Sequence, residues 1–378
     1  MTNLTAGANF SLDTDGFNVS GLLSGTYSNA SSTGFDVDVG NGYGEHYTGT
    51  NLTFDSSGHL VSGTLTGLSE IYLGANVFSM TGLGLDAATF VQWVNNGNSA
   101  AASAAIFGGN DSIVGSADDD TLDGGAGHDV IMGGAGADII IGGEGNNHLY
   151  GQSPNGGADG ADSITAGAGM DYLQGNAGND TLSGGGGPDR INGGADNDLI
   201  FAGSGNDSVN GNLGNDSIDG GDGNDSLRGG KGDDVITGGN GNDVISGDLG
   251  NDTLSGGAGN DTLTGSDGSD VFKFAAGDAH YTGAGTDVIT DYTDGTDKIA
   301  LGFTVNAVLT GSTQTSLSAA MTYAQQLFDG HAGNGEVAAL HVGSDTYLFF
   351  AGDGGGTVDS VIDVKAASAA SFDTTDFV

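Results

Sequence analysis

The chain has no cysteine in its 378 residues, so neither a disulfide framework nor a thiolate metal site holds it together. Proline is almost missing, with two residues, and six Lys and Arg face 49 Asp and Glu. None of the six cations precedes Arg190. Such a surface suits neither nucleic acid nor an anionic membrane, because phosphate recognition rests on Lys and Arg. No stretch approaches the roughly 18 apolar residues of a membrane span, so no membrane insertion is expected. The opening Met1-Thr-Asn-Leu-Thr-Ala-Gly has no basic segment and no apolar run, and does not read as a cleavable signal peptide. Export of this chain is expected to use a route that ignores the N-terminus.

What is plentiful is glycine, at 76 residues, and acid, which leaves a formal net charge of −43. With so little proline and no triplet period, that glycine content points to repeated tight turns rather than to collagen. A chain this acidic repels itself unless counter-ions neutralise it, and divalent cations are the natural candidates.

The glycine and the acid fall into one pattern. Between Asp111 and Asp270 a nine-residue unit, Gly-Gly-x-Gly-x-Asp-x-apolar-x, occurs eighteen times. Its key positions are Asp111, Asp120, Asp129, Asp138, Asn147, Asp162, Asp171, Asp180, Asp189, Asp198, Asp207, Asp216, Asp225, Asp234, Asp243, Asp252, Asp261 and Asp270. Every step is nine residues except the fifteen from Asn147 to Asp162, where Gln152 to Ala161 carries a six-residue insertion expected to bulge from one edge. Two residues after each key position stands an apolar side chain, from Ile113 and Leu122 to Leu263 and Phe272. This is the nonapeptide signature of a calcium-binding parallel β-roll.

The physical reason for calcium is that one unit cannot hold itself. Burying one large apolar side chain, about 1.5–3 kcal/mol, falls far short of the cost of ordering nine residues. The turn must supply the rest. Glycine permits φ > 0 and brings carbonyl oxygens inward, and the Asp adds a carboxylate. Six to eight hard oxygen ligands select calcium over transition metals. Each unit is then half a turn, with x-apolar-x as a short strand, and units 18 residues apart stack along one edge and share ions. Nine turns span roughly 42 Å at strand spacing. Eight gaps per edge bound the load at about sixteen Ca2+, or about +32 against the acidic excess. Calcium is therefore expected to decide between folded and unfolded. Asn or Asp before the key residue, at Asn179, Asn206, Asn215, Asn224, Asp233, Asn242, Asn251 and Asn260, suits a left-handed turn. Asn147 replaces the charged ligand, Asp118 and Asp196 replace a turn glycine, and Pro188 stands where Asn is usual. Weak or missing ions are expected near Asn147 and the insertion.

The flanks differ from the array. Residues 1–105 read as a strand-rich domain, with period-two alternation in Gly34-Phe-Asp-Val-Asp-Val-Gly, Gly49-Thr-Asn-Leu-Thr-Phe-Asp and Leu60-Val-Ser-Gly-Thr-Leu-Thr-Gly-Leu. Ser56-Ser-Gly-His looks like a hairpin connection. A helix is expected from Asp86 through Asn95, with Asp86 as N-cap and Phe90, Trp93 and Val94 as its buried stripe. Residues 106–272 hold the array. Residues 273–378 read as a β-rich cap, with strands in Asp270-Val-Phe-Lys-Phe and from Thr286 to Leu301, a helix from Ser318 to Phe328, and a closing hairpin of Ala338-Ala-Leu-His-Val and Thr346-Tyr-Leu-Phe-Phe. The fold class is all-β, a parallel β-roll between two β-rich ends.

Gly124-Gly-Ala-Gly-His-Asp-Val-Ile-Met, Gly220-Gly-Asp-Gly-Asn-Asp-Ser-Leu-Arg and Gly256-Gly-Ala-Gly-Asn-Asp-Thr-Leu-Thr resemble the RTX (repeats-in-toxin) family of type I-secreted bacterial proteins. Asp287-Val-Ile-Thr-Asp-Tyr-Thr-Asp-Gly-Thr-Asp-Lys-Ile is similar to the cap that follows the roll in serralysin-type proteins. The terminal Asp376-Phe-Val resembles an uncleaved C-terminal type I secretion signal. The resemblance implies export through the low-calcium cytosol and folding outside. It also implies that the carbonyls of the second and third turn glycines join the Asp as ligands: Gly239, Gly241 and Asp243 in one unit. The same rule gives Asp120; Gly125, Gly127 and Asp129; Gly134, Gly136 and Asp138; Asp162; Gly167, Gly169 and Asp171; Gly178 and Asp180; Gly185, Gly187 and Asp189; Gly194 and Asp198; Gly203, Gly205 and Asp207; Gly214 and Asp216. It continues with Gly221, Gly223 and Asp225; Gly230, Gly232 and Asp234; Gly250 and Asp252; Gly257, Gly259 and Asp261; Gly268 and Asp270.

Many such proteins are enzymes, yet no catalytic motif is found. His-Glu-x-x-His does not occur, and Glu45-His46 has the reverse order with no partner His at helical spacing. Gly-x-Ser-x-Gly is missing too. His46, His59, His128, His148, His280, His331 and His341 are scattered, with His128 at a variable turn position. Glu45, His46, Tyr47 and Tyr43 read as a surface loop, with a ligand-binding rim as the sharper reading. Trp93 reads as core. The expectation is a secreted, non-catalytic, calcium-stabilised protein of the bacterial surface or matrix, with a filament or surface-layer partner of its own kind. The alternative is a small extracellular carbohydrate-binding protein or enzyme whose site, and surface glycan partner, belong to residues 1–105.

Overall fold

A computed structural model describes residues 3–6, 23, 26–40, 43–54, 60–72, 75–96, 106–152, 159–275, 278, 286–330, 335–351, 358–365 and 367–378. These fall into two compact units, Met1–Gly186 and Gly187–Val378.

The first unit begins with an antiparallel sheet. Its strands are β1 (Asn3–Ala6), β2 (Thr26–Ser31), β3 (Gly34–Gly40), β4 (Tyr43–Phe54), β5 (Leu60–Tyr72) and β6 (Ala75–Asp86). Neighbours pair antiparallel from β2 through β6, and β1 returns beside β6. Alternation along the strands buries Phe35, Val37, Tyr47, Leu52, Leu65 and Leu68, and Phe35 stacks on Tyr47 at 4.5 Å. Phe54 faces Leu60 across the connection at 55–59, so the strands on either side of the expected hairpin do pair, while its residues lie outside the described ones. Helix α1 (Ala87–Asn96) follows β6 as expected; the side chains of Phe90, Trp93 and Val94 lie outside the described ones. The free edge of β1 pairs parallel with Ser112–Val114, the first strand of the roll, so one sheet runs from the leader into the repeats.

In the roll of this unit, strands alternate between two parallel sheets. Thr121–Asp123, Ile139–Glu144, Ser163–Ala168 and Thr181–Gly186 form one; Ser112–Val114, Val130–Gly134, His148–Gln152 and Tyr172–Ala177 form the other. Partners are 18 residues apart, as for Thr121 and Ile139, except across the insertion, where Ile139 pairs with Ser163 and His148 with Tyr172. The insertion is thus absorbed without loss of register. Its residues 153–158 lie outside the described ones.

The second unit repeats this plan from Arg190 onward. Full strands here have six residues, as in Ser226–Lys231 and Val235–Asn240, and not the three of x-apolar-x. The strand runs on through the first residues of the next turn because those glycines also pair, Gly221 with Gly239 for example. Every apolar side chain two after the key residue is buried, from Ile191 to Phe272 in this unit. The cap continues both sheets: Asp287–Ile289 pairs with Thr262–Asp267, and Lys298–Ala300 with Val271–Lys273. Ser360–Val364 then adds to Asp287–Ile289, followed by the antiparallel hairpin of Glu336–Val342 and Asp345–Phe350. Helix α2 (Leu317–Asp329), N-capped by Ser316, lays Ala320, Ala324 and Phe328 on Ala338, Leu340 and Phe349.

Candidate metal centre

The key aspartates lie inside the turns, and Asp243 is 1% exposed. One carboxylate oxygen has a fixed task. Oδ1 accepts the backbone N–H of the key residue 18 earlier: Asp225 N–H donates to Asp243 at 2.8 Å, Asp243 N–H to Asp261 at 2.8 Å, and Asp252 N–H to Asp270 at 2.9 Å. Across the insertion the ladder holds, with Asp138 N–H donating to Asp162 at 2.8 Å. The other oxygen has no such partner. Oδ2 of Asp129, Asp138, Asp162, Asp207, Asp216, Asp225, Asp234, Asp243, Asp252, Asp261 and Asp270 is buried and meets no hydrogen-bond donor. A buried carboxylate oxygen left so is costly unless a cation covers it.

The electrostatics agree. Burial above all, with neighbouring Asp charges behind it, pushes the carboxyls of Asp234 and Asp243 up to about 7 and that of Asp162 to about 8. For Asp261 burial is again the main cause, and the value reaches about 6. Fixed cations to relieve this are scarce. Rows of anionic oxygens with backbone carbonyls nearby are the donor set of a hard divalent ion.

The glycines explain how the turns come close enough. A Cβ built on Gly238 would lie closer than 3.0 Å to both Asp243 Oδ2 and the carbonyl oxygen of Gly256, so the first turn position faces the orphan oxygen and takes only small residues. The second and third turn glycines stand over carbonyls of the unit 18 earlier: Gly239 (φ +109°) over Gly221 O, and Gly241 (φ +131°) over Gly223 O. Those carbonyls therefore point along the roll and line the space between stacked turns. Where other residues take the left-handed positions they are Asn176, Asp196, Asn212, Asp248 and Ser266, with φ between 73° and 83°.

Three expectations need correction. The Asn and Asp just before the key residues are not in left-handed turns; the left-handed residues stand elsewhere. Their side chains instead form a second ladder. Asn224 N–H donates to Asn206 Oδ1 at 2.9 Å, Asn242 N–H to Asn224 at 2.7 Å, and Asn251 N–H to Asp233 at 2.7 Å. This ladder runs opposite in sense to the Asp one, and a side-chain acceptor three bonds from Cα, Oδ1 or Nδ1, is what it selects. His128 joins it, accepting from Asn146 N–H through Nδ1 at 2.8 Å. Second, Glu45, His46 and Tyr47 lie in β4, not in a loop. Alternation separates them: Glu45 is buried and accepts from the Tyr47 hydroxyl at 2.7 Å and from Leu23 N–H at 3.0 Å, while exposed His46 meets Asp36. The Tyr43 side chain lies outside the described ones. Third, the Asp ladder does not stop at Asp270. Asp261 N–H donates to Asp287 Oδ1 at 2.9 Å and Asp270 N–H to Asp297 Oδ1 at 3.1 Å, and Asp287 Oδ2 is orphaned like the rest. The missed signal was Asp-x-Ile after a partial glycine turn, present as Gly283-Ala-Gly-Thr-Asp-Val-Ile and Gly295-Thr-Asp-Lys-Ile but off the nine-residue step.

Asn147 keeps the ladder, accepting from Asp129 N–H at 3.0 Å, but places Nδ2, a donor, near the first-position Gly142 where an anionic oxygen stands elsewhere. Among the described residues no three His, Cys, Asp or Glu side chains converge on one point. Apart from the turn at Asn147, each turn offers one buried key carboxylate beside its main-chain oxygens, which is why glycine matters as much as acid.

The family comparison agrees with this geometry. A family model described as the RTX calcium-binding nonapeptide repeat matches residues 107–140, 132–153, 156–191, 183–218, 219–254 and 246–278. Among solved structures, the AlgE6R3 subunit of the Azotobacter vinelandii mannuronan C5-epimerase is 28% identical, with 41% of this chain and 80% of that chain covered and a TM-score of 0.29. No curated protein matches the chain. The repeats within residues 107–278 are therefore RTX calcium-binding nonapeptide repeats, folded as a parallel β-roll whose turns bind Ca2+.

Proposed function

We propose that the chain is a secreted, non-catalytic structural or adhesive protein of the bacterial surface or matrix, held unfolded until it meets calcium. The observation that carries this is the row of buried Oδ2 atoms without donors, which the roll repeats turn after turn. In this reading Oδ2 of each key Asp and the carbonyls of the second and third turn glycines coordinate ions shared between units 18 apart. For the turn at Asp243 these are Gly239, Gly241 and Asp243. Asp287 prolongs the row into the cap, and Asn147 interrupts it. The bound ions supply positive charge that the sequence lacks; the chain's own residues supply spacing, through the two ladders.

The flanks take the remaining roles. The sheet of residues 1–105 is the part offered to a partner, a second copy included. The tail carries the export signal; Phe372 packs on Tyr292 at 5.1 Å, and Phe377 bridges to Ile299. RTX repeat proteins are typically exported by type I systems, and no helix among the described residues is long and apolar enough to cross a membrane.

The experiment is a calcium titration of chelator-treated full chain, followed by circular dichroism and light scattering together. A disorder-to-β transition with a rise in particle size supports an assembling protein. The same transition in a stable monomer removes self-assembly and leaves adhesion to another partner. No transition removes the calcium-folding reading.

A further inference from the structure

The roll has two outward strand positions per unit, just before and just after the buried apolar residue. Across the array their only aromatic occupants are His148, Tyr150, Tyr172 and Phe201. Three of these four stand together in the first unit. Register places Val130, His148 and Tyr172 in one cross-strand row, and Met132, Tyr150 and Gln174 in the next. The Tyr172 ring lies 5.8 Å from that of His148 and 5.6 Å from that of Tyr150, tilted by 45° and 50°. Beside the rings runs a polar line: the Tyr172 hydroxyl donates to Gln174 Oε1 at 2.9 Å, and Gln174 Nε2 donates to Asn176 Oδ1 at 2.7 Å. His148 is exposed, and Tyr150, Tyr172, Gln174 and Asn176 are half-buried.

We propose that this platform is a saccharide-binding site, and that its ligand is a neutral hexose chain. Three adjacent strands over four residues make a floor of about 10 by 13 Å, room for two or so sugar rings. A pyranose is apolar on its C–H faces and polar at its rim. Aromatic rings meet the first, and side-chain amides, each offering a donor and an acceptor, meet pairs of hydroxyls at the second. Cross-strand ring pairs alone contribute about 0.2–1 kcal/mol each to a sheet, which accounts for the rings and leaves the ordered amide line unexplained. Charge decides the class of sugar. The three strands of the platform, Val130–Gly134, His148–Gln152 and Tyr172–Ala177, carry no Lys or Arg, so none of their side chains offers a uronate or sulfate a fixed cation. The strand that carries His148 and Tyr150 also follows Asn147, the one key position of the array without a carboxylate. The site lies on the roll and not in residues 1–105, and it rests on the calcium-folded state proposed above.

The test uses calcium-loaded full chain and isothermal titration with neutral hexasaccharides of glucose, mannose and galactose, and with hexagalacturonate. Saturable binding of at least one neutral hexasaccharide is expected, weakened at least tenfold by Tyr172→Ala and by Gln174→Ala, with none for the uronate. Tyr172→Phe keeps the ring and should lose no more than a few fold. Calcium-induced circular dichroism of each variant checks that the roll still forms. The proposal is overturned if the folded wild-type chain binds no neutral hexasaccharide, prefers the uronate, or binds equally after Tyr172→Ala with folding intact. Failure of wild-type chain to fold on calcium would overturn the functional reading itself.

Discussion

The leader sheet and the roll are both β-structure built from Gly-, Ser- and Thr-rich strands, yet they dispose of buried charge in opposite ways. Among its described residues the leader buries one carboxylate, Glu45, and satisfies it from within, through the Tyr47 hydroxyl and Leu23 N–H. The roll buries a carboxylate in nearly every turn and, at Asp129, Asp138, Asp162 and the key positions from Asp207 to Asp270, leaves half of it unmet. The leader also buries rings, with Phe35 on Tyr47 and Phe54 edge-on. The roll buries one apolar side chain per unit, aliphatic from Ile113 to Leu263 and aromatic only at its last, Phe272. One region is closed by its own side chains, and the other is complete only with an ion.

The largest consequence appears on calcium removal. Chelation should abolish amide protection across residues 112–270 while β3, β4 and β5 keep theirs, as measured by hydrogen exchange. Equal protection or equal loss in both regions would erase the contrast. Because β1 bridges the two sheets, its amides should follow the roll or lie between.

Next comes the same chemical change made in both regions. Asp243→Asn keeps the ladder acceptor for Asp225 N–H but turns the ion-facing oxygen into a donor, the arrangement seen at Asn147. It should shift the calcium midpoint upward and cost about 2–3 kcal/mol at limiting calcium, the scale of a lost charged partner in a buried site. Glu45→Gln keeps an acceptor for Tyr47 and removes a desolvated charge; burial already pushes this carboxyl up. It should leave the calcium midpoint unmoved. A titration by circular dichroism of both variants reads the difference.

Acidity gives a third, smaller effect. In calcium-free protein the folded-state values of about 7 for Asp234 and Asp243 stand above the ordinary carboxyl value of 3.8. The folded form therefore binds protons more tightly than the unfolded one. Its stability is greatest below about pH 4 and falls as pH rises through about 7. With chelator present, β-signal should grow as pH is lowered from 8 to 5, and with saturating calcium this trend should vanish or reverse. A calcium-free signal flat over that range would show that the carboxylates are not what opposes folding.

How much of this could be read from residues alone follows the same division. The roll was legible because its period is local: Gly238, Gly239, Gly241, Asp243 and Ile245 each state a single requirement that recurs once in every nine residues. Sheet partners 18 apart then follow by arithmetic. The cap's Asp287 and Asp297 escaped because they keep Asp-x-Ile and part of the glycine turn, Gly283, Gly285 and Gly295, but fall off the nine-residue step. The second ladder escaped because Asn suits both a left-handed turn and a side-chain acceptor, and only stacked geometry separates the two. In the leader, alternation found β3 but could not tell that Glu45 and His46 point to opposite faces of a strand, since a polar pair among glycines looks equally like a loop.

The smallest expected effect tests how far the turn's backbone matters beside its ions. Asp248 stands at the second turn position with φ +73°, where Gly is usual, and its carboxylate accepts from Ser246 Oγ at 2.7 Å and from Arg228 Nη2 at 2.7 Å. The left-handed conformation costs an L-residue about 1–2 kcal/mol, less for Asp than for most. The Arg228 pair is largely exposed and returns only about 0.2–1 kcal/mol. Asp248→Gly should therefore stabilise the calcium-loaded roll by under about 1 kcal/mol, seen as a small rise in its urea midpoint. Arg228→Ala should lower that midpoint by less still. Were Asp248→Gly instead to raise the calcium requirement as Asp243→Asn does, Asp248 would belong to the ion-binding set, and the separation of turn backbone from ion-facing oxygen would have to be redrawn.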